Sequence, residues 1–137
     1  MQPAFGFREH AHTADWELEV WAPDLAILLE QAARGMYALS GVQLDAASPQ
    51  ERSLAIHASD VEGLLVRFLT ELLWLEQEEK LAFDHLSVKV NADCDLWADL
   101  VGGLIIKLDK EIKAVTYHNL KVKSTDHGLQ VNIVFDV

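Results

Sequence analysis

Cys94 is the only cysteine in this sequence, so an internal disulfide is excluded and a thiolate metal site cannot be built. Basic residues are also scarce: 11 stand against 22 acidic ones, a formal net charge of −11. A surface of that sign repels phosphate, which disfavours a direct grip on nucleic acid or on an anionic membrane. It suits a basic protein partner, a cation, or plain solubility. No uninterrupted apolar stretch reaches membrane-spanning length, and Met1-Gln2-Pro3-Ala4-Phe5 lacks the basic head and apolar run of a secretory leader. The expectation is a cytoplasmic protein. Repeats, low-complexity tracts and linkers are missing too, so residues 1–137 are expected to form one domain. Half of the residues are hydrophobic, which is enough for a core.

The apolar pattern divides the chain into elements. Trp16, Leu18 and Val20 alternate with Glu17, Glu19 and Trp21, which predicts a half-buried strand. Pro23 stops it, Asp24 can cap a helix, and Leu25, Leu28, Leu29, Ala32, Met36 and Leu39 mark that helix's buried face. Glu30, Gln31 and Arg34 are expected to point away from it, and Gly41 to end it in a left-handed turn. Ser53 to Ala58 is a short strand candidate. Ser59-Asp60-Val61-Glu62 reads as a capping box, with Glu62 reaching back to the Ser59 amide. The second helix turns Val61, Leu64, Leu65, Phe68, Leu72 and Leu75 inward. Val66, Leu73 and Trp74 lie on its far side, where they either pack on another part of the fold or mark a docking surface.

After Lys80 the period changes to that of strands. Leu86, Val88 and Val90 alternate, as do Leu96, Ala98 and Leu100 before an expected Gly102-Gly103 turn. Ile112 to Val122 is a longer strand candidate, and Leu129, Val131, Ile133 and Phe135 share one face of the last. This order predicts an α+β single-domain two-layer sandwich. Two helices would pack on one face of a mainly antiparallel sheet of about six strands.

Catalytic motifs are absent: no nucleophile elbow, no phosphate-binding glycine loop and no His-Glu-x-x-His helix. The six histidines show no zinc spacing. His10 and His12 can face one side of an extended segment, and a solvated histidine explains them as well. Carboxylates are the better lead. Asp15 precedes a strand, Asp136 lies on the polar face of another, and Val137 adds an α-carboxylate where it ends the natural chain. Such oxygen groups suit a hard cation such as Ca²⁺ or Mg²⁺. Equally, Asp15 can be a turn-former and Asp136 merely solvated. Lys113 lies in an otherwise apolar run, sharing a face with Val115 and Tyr117 by alternation. It can balance nearby carboxylates or guard a sheet edge.

His12-Thr13-Ala14-Asp15, the octapeptide Glu111-Ile112-Lys113-Ala114-Val115-Thr116-Tyr117-His118, and a last strand ending in Asp136 together resemble the archease family. The run from Asp60 to Leu75 resembles that family's second helix, and the likeness spans nearly the whole chain. The resemblance implies a single α/β domain and a non-enzymatic partner of the RtcB-type RNA-splicing ligase. In that role it would promote guanylylation of the ligase's active-site histidine and support multiple turnover in tRNA splicing or RNA repair. The resemblance also implies that Asp15, Asp136 and Val137 hold a divalent cation, Ca²⁺ first, with Mg²⁺ or Mn²⁺ as alternatives. Lys113 is implied as a functional residue, and His12 and His118 match motif positions where packing or hydrogen bonding is an equal explanation. Trp74 is carried as a candidate docking residue. Upstream of the octapeptide, Gly102 to Lys110 lacks the glutamate and histidine usual in the family. That departure bears on activation efficiency more than on fold.

Two other functions compete. A metal-dependent hydrolase of a small phosphorylated substrate would use Asp15 and Asp136 to hold a cation and Lys113 to stabilise developing charge. A purely structural interaction module would show no metal dependence. The residues leave the oligomeric state open.

Overall fold

The structure, a computed structural model, describes residues 2–10 and 16–137. It has the expected α+β class. Its elements run β1 (Gly6–His10), β2 (Trp16–Ala22), α1 (Leu25–Ser40), β3 (Gln43–Leu44), β4 (Gln50–His57) and α2 (Val61–Glu79). Then come β5 (Leu81–Val90), β6 (Asp95–Lys107), β7 (Ala114–Val115), β8 (Lys123–Thr125) and β9 (Gly128–Asp136).

Among the described residues every strand pairing is antiparallel, and the strands divide between two sheets rather than forming one. One has the order β1-β2-β9-β7, with β8 also on β9; the other has β3-β6-β4, with β5 also on β6. The two helices serve both sheets. Helix α1 lies against β1, β2 and β9 of the first and β5 of the second, while α2 meets β4 and β5 of the second and β7 of the first. The expected two-helix layer is therefore shared by two sheets.

The core follows from the alternation. Leu18 and Val20 on β2 and Val131, Ile133 and Phe135 on β9 are fully buried. They meet Leu28, Leu29, Ala32 and Met36 of α1 and Leu64, Leu65, Phe68, Leu69 and Leu72 of α2. Each such side chain contributes about 1.5–3 kcal/mol relative to exposure. Val66 and Leu73, expected on the far side of α2, are also buried; Trp74 alone of those three is exposed.

The ends of α1 are as expected. The Asp24 carboxylate accepts from the Ile27 amide at 2.9 Å, and Gly41 closes the helix at φ 68°. On its outer side, however, Gln31 is buried, and Glu30 Oε1 accepts from the Val88 amide at 3.0 Å. The capping box at α2 is corrected as well. Asp60, not Ser59, is the cap, accepting from the Gly63 amide at 2.7 Å. Glu62 reaches the Val122 amide at 2.8 Å instead of its own helix start, tying the segment before β8 to α2. Glu62→Ala should cost about 1–2 kcal/mol and speed hydrogen exchange at Val122 above its neighbours. Unchanged exchange there would show that the bond does not hold the segment.

Two further strand expectations fail. Gly102 and Gly103 do not turn the chain; they lie inside β6, opposite Phe83 and Ala82 of β5, beside an irregularity between Phe83 and His85. A Cβ on Gly102 would overlap the Ala82 carbonyl and stand 2.6 Å from Phe83 Cα, so a side chain is excluded there. The long strand expected from Ile112 to Val122 shrinks to Ala114–Val115. Beyond it, the Thr116 amide and Oγ1 both bond the Val134 carbonyl, at 3.0 and 2.9 Å. Asn119 then turns the chain at φ 50°.

Candidate functional site

The candidate site forms where the octapeptide crosses the end of β9. Its approach is fixed from behind. The amides of Asp109 and Lys110 both donate to the Ser40 carbonyl at the end of α1, at 2.9 and 3.1 Å. Ile112 is fully buried and anchors the next step. The Lys113 amide then donates to the Asp136 carbonyl at 2.8 Å, and Ala114 pairs with Asp136. The apolar residues of the octapeptide thus hold the segment while the Lys113 and Asp136 side chains remain at the surface.

The opposite side of β9 carries β2, with Trp16 paired to Phe135. Lys110 Nζ lies over the Trp16 ring at 4.3 Å from its centroid, a cation–π contact that bridges the octapeptide's approach to β2. Lys110 had no signal in the sequence, because its partner is remote in the chain. The site is therefore a strand end at which Lys110, Lys113 and Asp136 lie on neighbouring strands or their approaches. Val137 follows Asp136 and is half-buried.

The remaining candidates separate. Asp15 and His12 lie outside the described residues. His10 Nε2 pairs with Glu19 Oε1 at 2.9 Å on the β1–β2 ladder. His118 is exposed, with Nε2 3.2 Å from the Asn119 side-chain Nδ2. Trp74 is exposed on α2. Among the described residues, no three His, Cys, Asp or Glu side chains converge closely enough to hold a metal ion. The exposed Asp136 carboxylate is an oxygen donor of the type a hard cation takes.

One unusual group escaped the sequence reading. Glu76 is only 4% exposed, and its Oε2 has no hydrogen-bond partner among the described residues. It falls on the inward stripe of α2, four residues after Leu72 and seven after Leu69, so a carboxylate in that phase was the available signal. Burial first, and then the nearby Glu111 carboxylate, push its pKa from 4.5 up to about 7, with Lys80 opposing. The buried Tyr37 hydroxyl is pushed above its ordinary value by burial and by Glu76, with the Phe83 backbone opposing.

The consequence for stability has a definite sign. Between pH 4.5 and 7 the folded chain keeps a proton on Glu76 that the unfolded chain has released. Stability therefore falls as pH rises through this window, by on the order of 2 kcal/mol after allowance for partial solvation. Glu76→Gln should flatten this dependence and stabilise the protein at pH 8. Urea unfolding at pH 5 and pH 8 measures it; an equal pH slope in both proteins would refute the assignment.

This fold and chain order have known counterparts. A sequence profile of the Archease protein family matches residues 7–137. The chain belongs to the archease family. Protein archease of Archaeoglobus fulgidus is 33% identical over 136 residues, covering 92% of this chain and 95% of that one. The solution structure of Methanobacterium thermoautotrophicum protein 1598 matches with a TM-score of 0.72 and 26% identity, over 96% of this chain and 99% of that one. A crystal structure from Thermotoga maritima, described as an archease and possible chaperone, matches in fold with a TM-score of 0.68 at 23% identity. It covers 100% of this chain and 97% of that one. The archease resemblance read from the octapeptide is thus confirmed over nearly the whole chain. No described helix is long and apolar enough to cross a membrane.

Proposed function

We propose that this protein is a non-enzymatic activator of an RtcB-type RNA-splicing ligase, promoting its guanylylation and multiple turnover in tRNA splicing or RNA repair. Family membership supports this reading, and one structural observation carries it to particular residues. The strand end of β2, β9 and β7 places Lys113 directly beside Asp136 by a 2.8 Å backbone bond. Trp16, which follows Asp15 in the chain, pairs with Phe135, which precedes Asp136. The pairing supports the view that Asp15, Asp136 and the Val137 carboxylate act together.

A divalent cation, Ca²⁺ in the first instance and Mg²⁺ or Mn²⁺ otherwise, would neutralise these oxygen groups and stiffen the strand end. The chain's own contribution is positional. Ser40, Ile112 and Asp136 hold the octapeptide and its approach, and Lys110 packs its charge on the Trp16 ring. Trp74 adds an exposed aromatic surface on α2 suited to a protein contact. The ligase is the partner in this reading, the site is cytoplasmic, and this chain does not itself bind RNA.

Ligase guanylylation, followed with labelled GTP, tests the proposal. The expected result is faster formation of guanylylated ligase with this protein present, and loss of that gain when divalent cations bound to it are removed. Rates unchanged by its presence would overturn the proposal. Phosphoester hydrolysis by the purified chain with Mg²⁺ or Mn²⁺, lost in Asp15→Asn, would support the hydrolase reading in its place.

A further inference from the structure

Two limbs meet at the strand end: the start of β2, and the octapeptide with its approach. Each is held to β9, the first by the Trp16–Phe135 pair and the second by the Lys113 bond to the Asp136 carbonyl. Among the described residues no hydrogen bond or ion pair joins one limb directly to the other. The directed contact between them is the Lys110 ammonium, 4.3 Å from the centroid of the Trp16 ring.

Both ends of that contact are anchored. The Lys110 amide donates to the Ser40 carbonyl at 3.1 Å, and Ile112, two residues on, is fully buried. Trp16 is partly buried, packs against the core and pairs with the fully buried Phe135. Neighbouring carboxylates do not draw the ammonium away. Asp109 is paired with Lys107 at 3.7 Å, and among the described residues Lys110 forms no ion pair with Glu111 or any other acid. An ordinary surface lysine would point into water or toward Asp109 and Glu111, and this one does neither.

We propose that Lys110 is a positioning residue of the strand end, a clasp whose charge on the Trp16 ring closes the first step of β2 against the octapeptide's approach. The clasp is a property of the chain itself; only its consequence at the ligase rests on the activator reading. A strand end opens more easily than its middle, and Trp16 is the first residue of β2, so a contact there acts on the step most prone to fray. The ammonium is attracted by the negative face of the indole, more strongly where the ring is partly shielded from water. Asp15 precedes Trp16, and Lys113 follows Lys110 by three residues. The clasp therefore sets the spacing of the two limbs that carry the proposed site residues.

Lys110→Met keeps the aliphatic stem and removes the charge, whereas Lys110→Arg keeps a cation that also stacks on indole. Amide hydrogen exchange at Trp16 and Glu17 should be about fivefold faster in Lys110→Met and unchanged in Lys110→Arg, with the amides of α2 unaffected in both. In a Trp16→Leu background Lys110→Met should add nothing. The concentration of this protein that gives half-maximal ligase guanylylation should rise about threefold in Lys110→Met at an undiminished maximal rate, because fewer molecules hold the competent geometry. Lys110→Arg should behave as the wild type. Wild-type exchange at Trp16 and Glu17 in Lys110→Met, or faster exchange in Lys110→Arg, would overturn the clasp. Stimulation by Lys110→Met equal to the wild type at every concentration would overturn the positioning role and leave the activator reading standing. A wild-type protein that does not stimulate the ligase would overturn that reading and the consequence drawn from it, while the exchange rates still decide the clasp.

Discussion

In the proposed activator role, Asp136→Asn should lower the stimulation of ligase turnover by about one to two orders of magnitude while leaving the protein folded. The carboxylate is exposed, and its backbone bonds to Lys113 and Ala114 are untouched by the change. Stability should therefore move by less than about 0.5 kcal/mol. On the proposed cation site, the change removes one negative oxygen donor, since an amide binds a hard cation more weakly. Lys113→Ala should lower stimulation as well, but without weakening Ca²⁺ binding measured by calorimetry. The two variants thus separate a cation ligand from a charge that acts on the partner. Full stimulation by Asp136→Asn would remove this residue from the site.

The largest effect on folding is expected at Gly102. Gly102→Ala places a methyl group into the Ala82 carbonyl and close to Phe83 Cα, and both are backbone atoms of the paired strand. Neither can swing aside as a flexible side chain would. The β5–β6 ladder must open at its irregular step, and Phe83, which is only 2% exposed, shifts with it. The cost should be about 3 kcal/mol, at the upper end for overpacking. Urea unfolding measures it. A loss below about 1 kcal/mol would mean that the two strands separate there without strain.

These two residues also mark what was and was not legible in the chain. Where one face of an element is buried and the other wet, the period reveals it: Leu18 and Val20, the Leu28 to Met36 stripe and Val131 to Phe135 all lie as expected. The cap at Gly41 was legible for the same reason, because a left-handed residue is a local requirement. The Gly102-Gly103 pair misled because glycine serves both turns and close backbone approach, and only the position of β5 decides between them. Strand β1 carried no clear alternation, since Phe7, Arg8 and Glu9 are all exposed. Local spacing favours a capping box at Glu62, whereas its actual partner, Val122, is remote in the chain.

The site shows the same division. Asp136 and Lys113 were each visible as unusual residues in apolar strands, but their adjacency depends on the antiparallel pairing of β7 with β9. Lys110 became visible only through Trp16. Glu76 was hidden inside an apolar helix whose phase, rather than its composition, identifies it.

The most direct measurement is multiple-turnover RNA ligation by the RtcB-type ligase of the same cell, with and without this protein. Many rounds of ligation are expected with the wild-type protein present, and a sharp loss of that gain with Asp136→Asn. Ligation that proceeds equally well without the protein would contradict the activator role and leave only the family membership and fold standing.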